Sequence, residues 1–451
     1  MTMKNDTIVA ISTALGASAI NIIRMSGDAA FTILKKIFSN QNFITAPSHT
    51  IHYGKIKDNH QTIDEVLVSI FKSPKTFTRE DIVEINCHGG AFVAQKILEV
   101  CLKNGARLAE KGEFTERAYL NGRIDLTQAE SIMDIIESRS NLSLRLANEG
   151  LDGKIYTKIT ELRKNLLDVI AHIEVNIDYP EYDDIEELTT QIVIPKIENL
   201  QSKISVLLDT AHDGKIIREG IKTAIIGRPN VGKSSLLNAL LGEDKAIVTE
   251  IQGTTRDTVE GSLVLGGIVL HLIDTAGIRE SEDIVEKIGI KKAKEVLNEA
   301  ELVLFVINNN EPLTQDDKQL LKLTENKKRI IIINKIDLES KLTETLENSV
   351  AISALNKTNL EQLEQKIKNI VLSNTLNLDQ QIYLSNTRHI AKIRETKDAL
   401  EDALNSAIQL LPIDMVEIDL KRAWELLGDI IGDTKSTTLL DELFSKFCLG
   451  K

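Results

Sequence analysis

Gly227-Arg-Pro-Asn-Val-Gly232-Lys233-Ser234 has the spacing of a phosphate-gripping loop: two glycines with four residues between them, then a lysine and a hydroxyl. Glycines let successive backbone N–H groups curl around phosphate oxygens, and a helix starting behind the loop adds a favourable dipole. Lys233 would neutralise the β- and γ-phosphates, and the Ser234 hydroxyl would coordinate Mg2+. Four further groups follow in order. Gly253-Thr254-Thr255-Arg256-Asp257 offers a threonine hydroxyl to Mg2+ once a γ-phosphate orders the loop. Asp274-Thr275-Ala276-Gly277 brings a carboxylate toward the metal's water shell and a glycine N–H toward the γ-phosphate. Asn334-Lys335-Ile336-Asp337 carries a carboxylate able to accept from N1 and N2 of guanine, donors that adenine lacks, and Ser353-Ala354-Leu355 can offer a backbone N–H to O6. In combination these motifs specify a Mg2+-dependent GTP site rather than an ATP site. The residue after the third motif is Ile278, where Ras-like proteins carry a water-orienting glutamine, so hydrolysis needs another polar group.

Such a site must be carried by a parallel sheet. Residues 224–226, 269–273, 302–307 and 330–333 are continuous apolar runs, as strands buried on both faces should be, and helical patterns alternate with them from 222 to 371. A helix is expected over 235–241. Upstream, 8–23 reads as a strand, a glycine loop and a second strand rather than a secretory segment. Strands are expected at 66–71 and 81–86, the latter running into a His88-Gly89-Gly90 turn, followed by a helix with Ala94, Ile97, Leu98 and Cys101 on one face. From Asp125 the period becomes helical. Asp125 can cap with Gln128, and Leu126, Ala129, Met133 and Ile136 form an apolar stripe. Helical patterning runs to about 211, interrupted by the acidic stretch 178–187, which Pro180 and the charge density mark as a solvated loop rather than a cation site. It returns after 374 and lasts to 451.

The expected fold is therefore multidomain: a mixed α/β domain over 1–124, an all-α domain in two parts, 125–219 and 373–451, and a P-loop GTPase α/β domain inserted at 220–372. The first region carries 15 basic and 12 acidic residues and the inserted one 20 and 23, so the helical parts, with 19 and 32, account for a net charge of −13. That balance argues against a broadly basic nucleic-acid coat. With 451 residues and 42% hydrophobic content, wholesale disorder is excluded. No stretch reaches the ~20 apolar residues a membrane span needs. Three cysteines, Cys87, Cys101 and Cys448, show neither a CxxC pair nor ligand spacing, so a reducing, cytoplasmic setting is expected.

The five G motifs, with Asp6-Thr-Ile-Val-Ala, Arg24-Met-Ser-Gly, His88-Gly-Gly, Gly112-Glu-Phe-Thr-Glu-Arg-Ala, Asp125-Leu-Thr-Gln-Ala-Glu and the terminal Phe447-Cys448-Leu-Gly-Lys451, resemble the MnmE (TrmE) family over the whole chain. The resemblance implies an N-terminal folate-binding and dimerising domain, a discontinuous helical domain and an inserted G domain. The implied activity is a K+-activated GTPase that acts with MnmG, as a homodimer within a heterotetramer. It would add an aminomethyl or carboxymethylaminomethyl group at C5 of the wobble uridine of tRNA. By match, the nucleotide set includes Asn230, Val231, Gly232, Lys233, Ser234 and Ser235, and Thr249, Glu250, Ile251, Gln252, Gly253, Thr254 and Thr255. Asp274 to Gly277, the Asn334-Lys335-Ile336-Asp337 motif and Ser353-Ala354-Leu355 complete it. Mg2+ falls to Ser234 and Thr255, and K+ to Asn230 with the backbones of Thr249, Ile251 and Thr254. Glu286 matches the catalytic glutamate. On residue type alone it cannot be told from Glu280, Glu282 and Asp283. Arg24, Glu84, Arg123 and Lys451 match positions for 5-formyltetrahydrofolate or a related folate, although Arg24 and Glu84 would otherwise read as surface or strand-end charges. Arg123 stands where lysine is expected, and Leu355 where a basic residue is usual.

Cys448 stays open between a nucleophile, a thiolate stabilised by Lys446 or Lys451, and a small buried side chain. Two other functions compete: a GTPase switch docking on ribosomal RNA during assembly, and a scaffold that only reports nucleotide state. The first usually carries a basic module, whereas the regions outside the G domain here sum to −10. The intact Ser234, Thr255 and Asp274 set disfavours the second.

Overall fold

A computed structural model describes residues 6–14, 16–178, 189–242, 246–247, 259–273, 296–372, 381–433 and 437–451. The chain forms two compact units, Met1–Met133 with Ile431–Lys451, and Asp134–Ile430.

The first unit is built on a six-stranded sheet in the order β3-β4-β5-β2-β1-β6. The strands are β1 (Ile8–Ile11), β2 (Ile20–Ser26), β3 (Thr50–Asp58), β4 (Gln61–Phe71), β5 (Ile82–His88) and β6 (Arg107–Leu108). All neighbours are antiparallel except β1 and β6. Period-two alternation sends Ile23, Met25, Val68, Ile70, Val83 and Ile85 to one face, where the helices Ala30–Ile37 and Ala91–Lys103 cover them. Ile33, Leu34 and Ile37 come from the first helix, and Ala94, Ile97, Val100 and Cys101 from the second. The opposite face carries Arg24, paired in register with Glu84. Strand β1 is buried on both sides, and its Ile8 and Ala10 pack on Ala109 and Phe114, the latter from the helix Glu113–Leu120. The C-terminal helix Thr437–Ser445 adds Leu440 and Phe444 to Ala118, Ile124, Leu126 and Ala129.

Several expectations shift. The strand foreseen at 66–71 begins at Gln61, because β4 pairs with β3 across a tight turn beyond Asp58. The Asp125 cap forms as a reciprocal pair: its Oδ1 accepts from the Thr127 and Gln128 amides, and Gln128 Oε1 accepts from the Asp125 amide at 3.0 Å. Leu126 and Ala129 are fully buried, but Ile136, expected on the same stripe, is 39% exposed. The apolar stripe outruns the surface that covers it.

The second unit contains a seven-stranded sheet, ordered β13-β12-β11-β7-β10-β9-β8. Its strands are β7 (Ile221–Ile226), β8 (Ala246–Ile247), β9 (Val259–Leu265), β10 (Ile268–Ile273), β11 (Leu302–Asn308), β12 (Lys328–Asn334) and β13 (Ser349–Ala351). The five strands from β13 to β10 run parallel, and β9 and β8 join antiparallel. The expected apolar runs are strands. β11 is buried at every position, with Leu302, Leu304 and Val306 facing one core and Val303, Phe305 and Ile307 the other. Helical patterning extends past the expected 211 to Glu219, whose helix Ala211–Glu219 feeds β7 through Gly220. The helical segments on either side of the sheet share one layer: the helix Ile194–Asp209 packs along Thr387–Ile408. Ile197, Leu200 and Ile204 are buried on the first, and Ile390, Ile393 and Leu400 on the second. At the entry and exit of the inserted sheet, Thr210 Oγ1 accepts from the Leu384 amide at 3.2 Å. None of the described helices is long and apolar enough to cross a membrane.

Candidate functional site

The phosphate loop leaves β7 at Ile226 and turns directly into the helix Lys233–Leu241, which starts two residues before the expected 235. Gly232 has φ +96, and a Cβ there would stand 2.2 Å from Asn334 Nδ2, so only glycine fits. Lys233 Nζ donates to the carbonyls of Gly227 and Arg228, each at 2.7 Å. Burial alone pulls its pKa below the usual lysine value, which suits a cation that an incoming phosphate would stabilise. Ser234 and Ser235 open the first turn, and Val231 is buried beneath the loop.

The Asn334-Lys335-Ile336-Asp337 motif begins at the end of β12 and is bound to the loop. Asn334 Nδ2 donates to the Val231 carbonyl at 2.9 Å, and its Oδ1 accepts from the Ala354 amide at 3.0 Å. Lys335, at φ +67, donates to the Asn230 carbonyl at 2.9 Å. Ile336 donates its amide to the Ile352 carbonyl at 3.2 Å, and Asp337 accepts from Ser353 Oγ. Asn230, Val231, Asn334, Lys335, Asp337, Ser353 and Ala354 are thus brought into one hydrogen-bonded constellation. Leu355 sits beside it, 80% exposed. Of the backbone amides of Ser353-Ala354-Leu355, one of them expected to reach O6, that of Ser353 donates to the Thr358 carbonyl at 3.3 Å and that of Ala354 to Asn334 Oδ1. Thr249 to Thr255, Asp274 to Gly277, Ile278, Glu286 and residues 179–187 of the acidic stretch lie outside the described residues.

Asp337→Asn should reverse base preference, because an amide cannot accept from both N1 and N2 of guanine. Paired GTP and XTP titrations should show a shift of at least about 10-fold toward XTP, in line with the loss of a charge-assisted hydrogen bond. An unchanged GTP preference would mean that the base is read elsewhere.

A second constellation lies in the first unit. Arg24 Nε pairs with Glu84 Oε1 at 2.8 Å, and Arg24 Nη1 donates to the Gly450 carbonyl at 3.2 Å. Ser12 Oγ donates to the same carbonyl at 3.3 Å, Lys111 and Leu449 form a strand-like bridge, and the Phe114 amide donates to the Lys451 main-chain oxygen at 3.3 Å. Arg24 lies over the Phe114 ring at 5.8 Å and Arg123 over Phe77 at 5.1 Å. Arg24, Glu84 and the tail therefore meet, with Arg123 stacked on a neighbouring ring. Glu84 is already paired with Arg24, so a ligand amine would have to share that carboxylate. Cys448 is exposed, which overturns the reading of it as a small buried side chain. Cys87 and Cys101 are buried, and burial pushes their thiols up to about 11 and about 12, so both are inert at neutral pH. Sequence reasoning missed Phe77, Phe114 and Ser12. Phe114 lay inside a recognised motif, but nothing in its local spacing pointed to Arg24.

Two family models match the chain. One, described as GTP-binding protein TrmE N-terminus, covers residues 7–123, and the other, MnmE helical domain, covers 126–448. The chain is 50% identical to "tRNA modification GTPase MnmE" of Enterococcus faecalis, over all of this chain and 99% of that one. It is 50% identical to proteins of the same name from Streptococcus thermophilus and Bacillus cytotoxicus, over the full length of each.

Proposed function

This chain belongs to the MnmE family of tRNA modification GTPases, and from that membership we propose that it hydrolyses GTP to drive addition of an aminomethyl-type group at C5 of the tRNA wobble uridine. The observation that carries the reading is the half-identity to those relatives along the entire chain, reinforced by the bonded constellation of Asn230, Val231, Asn334 and Ala354. Four segments go with it: 1–124, 125–219, 220–372 and 373–451. Ser234 and Thr255 hold Mg2+. Asn230, with the backbones of Thr249, Ile251 and Thr254, holds K+, which supplies positive charge to the developing transition state. Glu286 orients water in place of Ile278. Cys448 is exposed two residues before Gly450, whose carbonyl Arg24 holds. Arg24, Glu84, Arg123 and Lys451 take a reduced folate: the cations suit its carboxylates, and Glu84 suits a pterin amine. The working assembly is a cytoplasmic homodimer that joins MnmG and accepts tRNA.

Hydrolysis should run at least about 10-fold faster in K+ than in Na+, because an ion placed at the γ-phosphate acts on the transition state. Steady-state rates in both salts, with association followed by light scattering, decide it. Equal rates would remove K+ from the reading.

A further inference from the structure

Arg228, the second residue of the phosphate loop, is not among the residues assigned to the nucleotide, yet its side chain makes two ion pairs. Its Nη2 lies 2.9 Å from Glu311 Oε2, and its Nε 2.8 Å from Asp317 Oδ2. Glu311 is itself held by Asn308 Nδ2 at 3.0 Å, where β11 ends. Asp317 is the third residue of the helix Gln315–Leu323 and 1% exposed. Its Oδ2 accepts from the Thr314 amide and hydroxyl in a capping box. A carboxylate this buried needs a cation, and Arg228 is 2.8 Å away. Burial opposes charge on Arg228, but Glu311 and Asp317 outweigh it and raise the guanidinium pKa above its ordinary value.

The consequence for the nucleotide site lies in the main chain. The Arg228 carbonyl is one of the two that hold Lys233, and two residues on stands Asn230, at φ +62 with its carbonyl held by Lys335. Val231 is fixed by Asn334. Asn334 and Lys335 thus tie down the far end of the loop. The near end has Arg228, gripped by two carboxylates from the segment after β11.

We propose that Arg228 is a positioning residue: its double ion pair to Glu311 and Asp317 presets the near end of the phosphate loop, so that nucleotide binds without first ordering it. The claim rests on the GTPase reading above. Lost preorganisation appears mainly in affinity, since the loop regains its shape once phosphate is bound.

The test uses the full-length protein and four variants, measured by fluorescence titration with N-methylanthraniloyl-GDP and by steady-state hydrolysis in K+. Arg228→Met strands the buried Asp317 charge and is expected to lower the melting temperature, so the deciding variant is Arg228→Met with Asp317→Asn, which removes both charges and keeps an acceptor for the cap. In this double variant KM for GTP and the GDP dissociation constant should rise at least about 10-fold, with a several-fold smaller change in kcat. Arg228→Lys, able to reach only one carboxylate, should fall between it and the wild type. Glu311→Gln, which leaves the Asp317 pair, should raise KM by less than the double variant does. A double variant with wild-type KM, whether or not its melting point falls, overturns the proposal, as does a loss confined to kcat. A wild-type protein that binds no guanine nucleotide would instead sink the underlying GTPase reading.

Discussion

Replacing Gly450 with alanine is expected to abolish tRNA modification while K+-stimulated GTP hydrolysis continues. Gly450 has φ +88, and a Cβ there would stand 2.8 Å from both the Ile11 carbonyl oxygen and Ser12 Cα. Backbone cannot yield as a flexible side chain would, so the tail must move. The Gly450 carbonyl would then leave Arg24 and Ser12, and the neighbouring Cys448 would move with it. A misplacement of about 1 Å can cost on the order of 100-fold in rate. Removing residues 448–451 should have the same effect, since the phosphate-loop and base-reading motifs lie in the other unit and none lies beyond Leu355. A paired assay of modified tRNA and phosphate release, with circular dichroism to establish folding, decides it. Normal modification by the truncated protein would make the tail a structural ornament and remove any role for Cys448, and normal modification by Gly450→Ala would mean that the placement of the tail does not matter.

Arg117→Leu should be the most destabilising single change in the first unit. Arg117 is 7% exposed, and its guanidinium meets Asp6 at 2.6 Å, Glu113 at 3.0 Å and Glu80 at 3.2 Å. Arg107 closes the cluster through Asp6 at 2.6 Å and a second pair with Glu113. Leucine would fill the space and leave carboxylates facing each other with one cation fewer, at a cost of about 3–5 kcal/mol. The cluster also makes the unit acid-sensitive. Burial by itself would raise the pKa of Asp6 and Glu113, but Arg107 and Arg117 outweigh it and hold both below their ordinary values. Depressed carboxyl pKa values contribute stability that is complete above the unfolded values of about 4 and is lost as pH falls through the folded ones. Urea unfolding, with hydrogen exchange read on β1 and the helix Glu113–Leu120, should show the loss at pH 7 and a smaller difference between wild type and variant near pH 3. A cost below about 1 kcal/mol would mean that the ions were solvated after all.

What could be read from the sequence was whatever repeats locally. The phosphate loop, the Asp125–Gln128 cap and the continuous apolar run of β11 each depend on residues within one element, and each is found where spacing puts it. Spacing failed where burial is decided by a distant partner. Ile136 keeps the helical period of Leu126 and Ala129 yet stays exposed, and β4 extends to Gln61 because β3 offers it a mate. The meeting of Arg24 with Gly450 spans 426 positions and became an expectation only through family likeness. The Arg228 pairs with Glu311 and Asp317 span more than 80 positions and had no such help. The packing of Ile194–Asp209 on Thr387–Ile408, either side of an inserted sheet, likewise required the fold.

GTP hydrolysis by this chain is expected to serve modification of tRNA. The most direct test is mass-spectrometric profiling of tRNA nucleosides from cells lacking the protein, then from the same cells carrying the wild-type chain or Lys233→Ala. Aminomethyl-type derivatives at C5 of wobble uridine should disappear, return with the wild type and stay absent with Lys233→Ala. An unaltered wobble-uridine profile in the deleted cells would contradict this expectation.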